Sequence, residues 1–104
     1  MSIVSVYAVF ANDEEAERIG RQMVEERLAA CVNILPGCRS IYRWQGAVDS
    51  ADEVPALFKT VDYQAEALMT RIAGLHSYDV PCVVVWPIDK LLGSYAEWVE
   101  ASVG

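Results

Sequence analysis

Two apolar segments, one near each end of the chain, constrain the fold more than any other feature of the sequence. Residues 2–11 (SIVSVYAVFA) and 81–88 (PCVVVWPI) are rich in β-branched and aromatic residues and leave almost no polar face. Runs of this kind are typical of strands that are covered on both faces of a sheet. We therefore predict a strand in each segment, with a covering layer on both sides of each.

A helical pattern follows the first strand, over residues 12–30 (NDEEAERIGRQMVEERLAA). Asn12 is the predicted N-cap, and Glu15 stands three positions later, as in a capping box. The apolar residues recur at helical spacing and form one stripe. Arg27 falls inside that stripe, and we predict that its long side chain extends outward to solvent.

The middle of the chain predicts two strands. The first covers residues 31–35, is bent or interrupted at Pro36-Gly37 and resumes over 38–45, and the next covers 47–61. The dipeptide Gln-Gly at 45–46 favours a tight turn between these two strands. The polar stretch 49–53 (DSADE) predicts a bulge or loop in place of a regular ladder. The hairpin tip therefore lies either at 45–46 or within 49–53, and local chemistry leaves both positions open.

Two further helices complete the predicted elements. Residues 62–76 (DYQAEALMTRIAGLH) predict a second helix with Asp62 as its N-cap. Residues 94–103 (SYAEWVEASV) predict a short last helix, in which Ser94 and Glu97 would form a capping box.

The order of elements is β-α-β-β-α-β followed by a C-terminal helix. This order predicts a single α+β domain over residues 1–104, a ferredoxin-like sandwich in which two helices cover one face of a four-stranded antiparallel sheet. The opposite face should be polar if it meets water. Because the first and last strands are apolar throughout, we predict that this face is buried by self-association.

The charge of the chain excludes several classes of partner. Its formal net charge is −7, and nucleic-acid binding requires clustered Lys and Arg, so we expect no nucleic-acid partner. No apolar run approaches the roughly 20 residues of a membrane span, so we expect no membrane insertion. The start of the sequence has no basic segment typical of a signal peptide, and we predict a cytoplasmic protein with reduced thiols.

The three cysteines, Cys31, Cys38 and Cys82, are scattered. Cys31 follows a helix, where the dipole is negative, and this favours packing over nucleophilic chemistry. A disulfide between Cys38 and Cys82 stays open, although the predicted compartment argues against it. A metal site within one subunit is unsupported because no local pair of ligands exists. A site shared between subunits could use His76, the only histidine.

The segment 74–82 (GLHSYDVPC) concentrates polar side chains around His76. His76, Tyr78 and Asp79 could transfer protons, as in a small hydrolase or isomerase. Alternatively, His76 ends a helix, Tyr78 packs and Asp79 holds the turn. Because no nucleophile accompanies the three residues, we predict that the protein is not an enzyme.

Two aromatic residues of the predicted hairpin, Tyr42 and Trp44, point to the same side of their strand. Large aromatics on one strand face indicate either a core or an interface, and we favour a contact between subunits. Lys59 is the one cation in an apolar run. It could pair with a carboxylate, line a pocket or lie at a solvated edge.

Four collinear motifs resemble one protein family over nearly the whole chain. They are EERLAACVNILPGCRSIYRWQG at 25–46, LFKT at 57–60, LHSYDVP at 75–81 and YAEWV at 95–99. Together they resemble the CutA (CutA1) divalent-cation-tolerance family. The resemblance implies a ferredoxin-like subunit in a compact homotrimer similar to the PII signalling proteins. It also implies a bent hairpin that pairs with neighbouring subunits.

The same resemblance implies a function in tolerance of copper and other divalent cations, with no established enzymatic reaction. A small-molecule effector or protein partner would bind in clefts between subunits. Of three proposed metal ligands in the family, two positions read Val9 and Leu75 here, which leaves His76 as the candidate ligand for copper or another divalent cation. The residues that the resemblance places in the cleft are Tyr42, Trp44, Lys59, His76, Tyr78, Asp79 and Trp98.

Overall fold

One long strand organises the sheet of this protein. The computed structural model describes residues 2–104. In chain order its elements are β1 (Ile3–Phe10), α1 (Asp13–Glu25), β2 (Cys31–Ile34), β3 (Cys38–Trp44), β4 (Ala47–Val61), a 3₁₀ turn (Asp62–Gln64), α2 (Ala65–Leu75), β5 (Val83–Pro87) and α3 (Gly93–Ser102). The second half of β4 pairs with β1 and β2, and β5 pairs with β1, which gives the order β2-β4-β1-β5. All pairs are antiparallel, and the predicted ferredoxin-like order is confirmed.

The main core lies between the sheet and the two helices α1 and α2. Because side chains alternate along a strand, every second residue of β1 faces these helices, including Val6 and Phe10. They pack with Phe58 of β4, Ile19 of α1 and Leu68 of α2, all fully buried. Burial of an apolar side chain of this size stabilises the fold by roughly 1.5–3 kcal/mol. This layer fixes the position of both helices over one face.

The opposite face, which we call the second face, is only partly covered. α3 packs over one end of it, where Ile3, Val61 and Val99 form a second small core. Farther along the sheet, Val84 and Trp86 of β5 are 40% and 49% exposed. The predicted covering layer is therefore present on both sides of β1, while β5 keeps an open apolar face within one chain.

The first half of β4 extends beyond the sheet and pairs only with β3. This two-stranded segment, residues 38–53, we call the outer ribbon. Its register runs without interruption from Cys38 opposite Glu53 to Trp44 opposite Ala47. The turn is at 45–46, where φ is +51° at Gln45 and +83° at Gly46, as tight hairpin turns require. The predicted bulge or loop at 49–53 is wrong, because these polar residues line an exposed ladder.

The first helix is shorter than predicted. The Oδ1 atom of Asn12 accepts the N–H of Glu15 at 2.9 Å, which confirms the N-cap. The helix ends at Glu25 rather than at residue 30, and Arg27 adopts a left-handed conformation with φ of +61°. The Arg27 side chain is exposed, as predicted, and its guanidinium donates to the carbonyl oxygen of Ala101 at 3.2 Å.

Two predicted caps are wrong. The chain leaves β4 through the 3₁₀ turn, and α2 begins at Ala65 without a side-chain cap from Asp62. The last helix begins at Gly93 with Leu92 at its N-cap position, so Ser94 is already inside the helix. Within residues 2–104, no helix combines the length and the apolar character needed to cross a bilayer.

Candidate functional site

The His76 ring is held in one orientation by two hydrogen bonds. His76 follows the last residue of α2 and is 9% exposed. Its Nε2 atom lies 2.7 Å from the carbonyl oxygen of Val9, and its Nδ1 atom accepts the N–H of Tyr78 at 3.1 Å. Because a carbonyl oxygen can only accept, Nε2 carries the proton and donates it. The ring also stacks on Phe10, with centroids 5.2 Å apart. Both nitrogens are therefore engaged.

Tyr78 links His76 to the outer ribbon. The two rings are tilted with centroids 4.8 Å apart, and the Tyr78 hydroxyl donates to Oε2 of Glu53 at 2.7 Å. Partial burial, the hydrogen bond to Glu53 and the charge of Glu53 raise the pKa of Tyr78 to about 12. The phenol thus stays protonated over the physiological range and acts as a fixed donor.

The buried carboxylate of Glu15 holds the segment 76–78 through a backbone hydrogen bond. Glu15 accepts the N–H of Ala11 at 3.0 Å and the N–H of Ser77 at 2.8 Å. Burial acts to raise the pKa of Glu15, but the hydrogen bonds from Ala11 and Ser77 outweigh it, and the pKa is lowered overall. Glu15 therefore fixes the residue between His76 and Tyr78 while it also holds the start of α1.

Asp79 does not join this cluster. It is exposed and makes no side-chain hydrogen bond or ion pair within residues 2–104. An acid–base pair of His76 and Asp79 would need a contact between them and a free ring nitrogen, and neither is present. The alternative prediction of a small hydrolase or isomerase gains no support from this arrangement.

The predicted aromatic pair lies on the outer ribbon. Tyr42 and Trp44 share one face of the ribbon, as predicted, because they stand opposite Asp49 and Ala47 in an unbroken register. They are 39% and 50% exposed. On the other ribbon face, Ile41 is 73% exposed. The ribbon thus presents large apolar side chains on both of its faces.

Lys59 and Trp98 lie at the other end of the sheet. Lys59 pairs in register with Cys31 of β2, whose Sγ atom is 3.3 Å from the Tyr95 hydroxyl. Tyr95 in turn lies beside Trp98, with ring centroids 5.7 Å apart. Lys59 is six residues from Glu53 along β4, a distance of roughly 20 Å at the usual rise of a strand. One chain therefore places the predicted cleft residues in two separate groups.

The described residues do not form a metal centre. Cys31, Cys38 and Cys82 are free thiols, and no group of three or more His, Cys, Asp or Glu side chains in residues 2–104 has the geometry to hold an ion. A metal at His76 would have to displace the Val9 carbonyl or the Tyr78 amide. His76 as a ligand therefore stays a prediction that one chain by itself does not fulfil.

The sequence reasoning missed Glu53 and gave Glu15 only a capping role. Glu53 falls in the stretch 49–53, for which the sequence predicts a bulge or loop. Strict alternation along β4 would instead place Glu53 on the same sheet face as Lys59. Glu15 serves a distant loop, and the sequence carries no local signal for that contact.

The fold is that of an α+β protein of the ferredoxin-like class. Two helices cover one face of the sheet, α3 packs over one end of the second face, and the outer ribbon extends beyond the sheet. The family model for the CutA1 divalent ion tolerance protein matches residues 4–102, and the chain belongs to that family.

Individual relatives match over most of their length. The divalent-cation tolerance protein CutA of Thermus thermophilus is 44% identical over 93 residues, which are 89% of this chain and 90% of that protein. The crystal structure of CutA from Xylella fastidiosa superposes with a TM-score of 0.96 at 34% identity and covers 100% of both chains. A structure described as the periplasmic divalent cation tolerance protein CutA of Archaeoglobus fulgidus superposes with a TM-score of 0.95 at 31% identity, over 98% of this chain and 99% of that one.

Proposed function

We propose that this protein is a non-catalytic homotrimer that acts in tolerance of divalent cations such as copper. It would bind a small effector, a cation or a protein partner in clefts between its subunits, in the manner of the PII proteins. Membership of the family supports the role in cation tolerance. The large apolar side chains that a single chain leaves exposed support the assembly.

The outer ribbon is the observation that carries this proposal. A two-stranded hairpin is at best marginally stable in water without a surface to pack on. Here residues 41–50 are all exposed, and they include Trp44 at 50% and Val48 at 65%. A second copy of the chain supplies the missing surface, because the open second face beside Trp86 is also apolar and lacks cover.

Assembly would also explain the separation of the predicted cleft residues. Within one chain, the group around His76 and the group around Lys59 lie at opposite ends of the sheet. A cleft between two subunits can combine the group of one chain with the opposite group of its neighbour. The cleft residues then belong to one site only in the trimer.

A growth assay tests whether assembly and tolerance are linked. The wild-type chain and a Trp44→Asp variant would be expressed in a copper-sensitive bacterial strain that lacks its own family member. We expect the wild-type chain to raise the copper concentration that the strain survives. Trp44→Asp, which puts a charge into the proposed contact, should fail to do so. Equal protection by a variant shown to be monomeric would reject the link.

Two further parts of the proposal concern copper and location. Copper binding would depend on residues brought together by assembly, since residues 2–104 of a single chain offer no metal centre. A cytoplasmic location is our proposal from the sequence, and the name of the Archaeoglobus fulgidus relative places that protein in the periplasm. Fractionation of a producing cell, with detection of the untagged chain, decides between the two compartments.

A further inference from the structure

Lys59, on the second face, has no acidic partner in its own chain. It is half-buried, and its Nζ atom donates at 2.7 Å to the neutral Oδ1 atom of Asn33, in the edge strand β2. Within residues 2–104 no carboxylate forms an ion pair with Lys59, whereas four arginines each have one. Burial of an ammonium group is unfavourable unless a counter-charge accompanies it. A second copy that covers this face must therefore bring an anion to Lys59.

The outer ribbon carries a carboxylate on the same face as its aromatic pair. Asp49 stands opposite Tyr42 in the ribbon register, and residues opposite each other in an antiparallel pair point to the same face. Asp49 is exposed, its Oδ1 atom accepts the N–H of Ser50 at 2.8 Å, and it forms no ion pair within residues 2–104. Within residues 38–53 the other carboxylate of this face is Glu53, which already accepts the Tyr78 hydroxyl. Asp49 is therefore the carboxylate that the aromatic face can offer to a neighbour.

Asp49 and Lys59 cannot meet within one chain. Both belong to β4, which runs as one strand from Ala47 to Val61, and ten residues at the usual rise of a strand separate them by roughly 33 Å. A contact between them must therefore join two copies of the chain. In a closed ring, each interface joins the ribbon of one copy to the second face of the next. Every such interface contains one Asp49 and one Lys59.

The charges of the two ribbon faces differ, although both faces are apolar. The face opposite the aromatic pair exposes Ile41 at 73% and Val48 at 65%. Arg43 stands opposite Val48 on that face and forms no ion pair within residues 2–104. Docking of that face would bring a second cation towards Lys59, whereas docking of the aromatic face brings Asp49. Charge complementarity therefore favours the aromatic face as the one that meets the second face.

We propose that Asp49 of one subunit forms an ion pair with Lys59 of the partner subunit, and that this pair selects the face and the register in which the ribbon docks. The inference rests on the assembly proposed above. Burial of Tyr42 and Trp44 in the contact removes water from Asp49 beside them, and the same contact removes water from Lys59. A charge that loses water without an opposite partner is strongly unfavourable. Placements that slide or invert the ribbon are therefore disfavoured, even where their apolar contacts are equally large.

Exchange of the two charges, followed by native mass spectrometry over a dilution series, tests this pair. Asp49→Lys brings two cations together, and Lys59→Glu brings two carboxylates together. Each variant should raise the chain concentration at which half of the assembly dissociates by at least about tenfold. The double variant restores an attractive pair and should be more stable as an assembly than either single variant. Asp52→Lys makes the same charge change on the other ribbon face and should have a far smaller effect, because the pair of Asp52 with Arg39 is exposed.

The outcomes separate the ion pair from the assembly on which it rests. A monomeric wild-type chain would reject the assembly and the pair together. A wild-type trimer whose single variants assemble equally well, or whose double variant is no better than the weaker single variant, would reject the pair alone. An equal loss in Asp52→Lys would also reject it, because added positive charge anywhere on the ribbon would then suffice. If Lys59→Glu does not fold, Asp49→Asn, Lys59→Gln and their double variant replace the set, and strictly additive losses would contradict the pair.

Discussion

The hydroxyl of Tyr78 donates a hydrogen bond of 2.7 Å to the carboxylate of Glu53, and this bond joins the loop before β5 to the base of the outer ribbon. The two residues are 25 positions apart in sequence. Their contact links the base of the ribbon to the His76 cluster, so it connects the proposed assembly surface with the proposed cleft.

Removal of the Tyr78 hydroxyl should weaken this junction without unfolding the chain. Tyr78→Phe keeps the ring beside His76 and leaves the Glu53 carboxylate in contact with water. Because both side chains are partly exposed, we expect a loss of about 1 kcal/mol in the free energy of unfolding. A urea titration of Tyr78→Phe, Glu53→Gln and the double variant measures the coupling. Strictly additive losses would mean that the two side chains do not interact.

The same bond predicts a loss of stability at alkaline pH. The pKa of Tyr78 is about 12 in the folded chain, against an ordinary value of 10.0. Because folding raises the pKa of Tyr78, the contribution of this bond to the free energy of unfolding is complete below pH 10 and is lost as the pH rises through about 12. Urea titrations between these values should show a steeper decline for the wild-type chain than for Tyr78→Phe. Parallel declines would contradict the assignment.

Glu15 should control stability at acid pH. Its pKa is lowered in the folded chain from the ordinary 4.5, so its contribution is present above that value and is lost as the pH falls through the folded pKa. Glu15→Gln cannot accept both backbone N–H groups as a carboxylate does, and we expect it to destabilise the fold by about 1–3 kcal/mol at neutral pH. Glu14→Gln, an exposed neighbour, is the matched control. Similar urea midpoints for both variants would show that the two backbone hydrogen bonds of Glu15 do not stabilise the fold.

Copper titration decides whether His76 is a metal ligand. Both ring nitrogens already have backbone partners, so we expect His76→Ala to lower the free energy of unfolding by about 2 kcal/mol, through lost packing and an unpaired Val9 carbonyl. As long as the ring keeps these two bonds in the assembled protein, the copper affinity of His76→Ala by calorimetry should stay within about twofold of the wild-type value. A loss of copper binding in a folded His76→Ala chain would establish the residue as a ligand and show that the ring leaves its observed position.

The sequence predicts the order of elements well and their ends poorly. The apolar run of β1 and the helical stripe of α1 are strong signals, because β1 is buried on both faces and α1 buries one face, and Asn12 is a cap that local chemistry identifies. Asp62 and Ser94 were equally suitable cap residues on local grounds. The chain instead enters α2 through a 3₁₀ turn and begins α3 one residue earlier, because tertiary packing decides between adjacent start points.

The candidate site shows the same limit. Tyr42 and Trp44 could be placed on one face from alternation alone. The distance between His76 and Lys59 could not be predicted, because it depends on which strands become neighbours and in which register. The contact between Glu15 and Ser77 spans 62 positions, and no periodic pattern carries such information.

Native mass spectrometry of the purified chain at micromolar concentration tests the account most directly, because the site depends on neighbouring copies to cover the outer ribbon. We expect one species with three times the 11.5 kDa mass of the chain, and dissociation of that species by Trp44→Asp. A wild-type chain that is fully folded, monomeric and stable, with Trp44 accessible to quenchers, would contradict it.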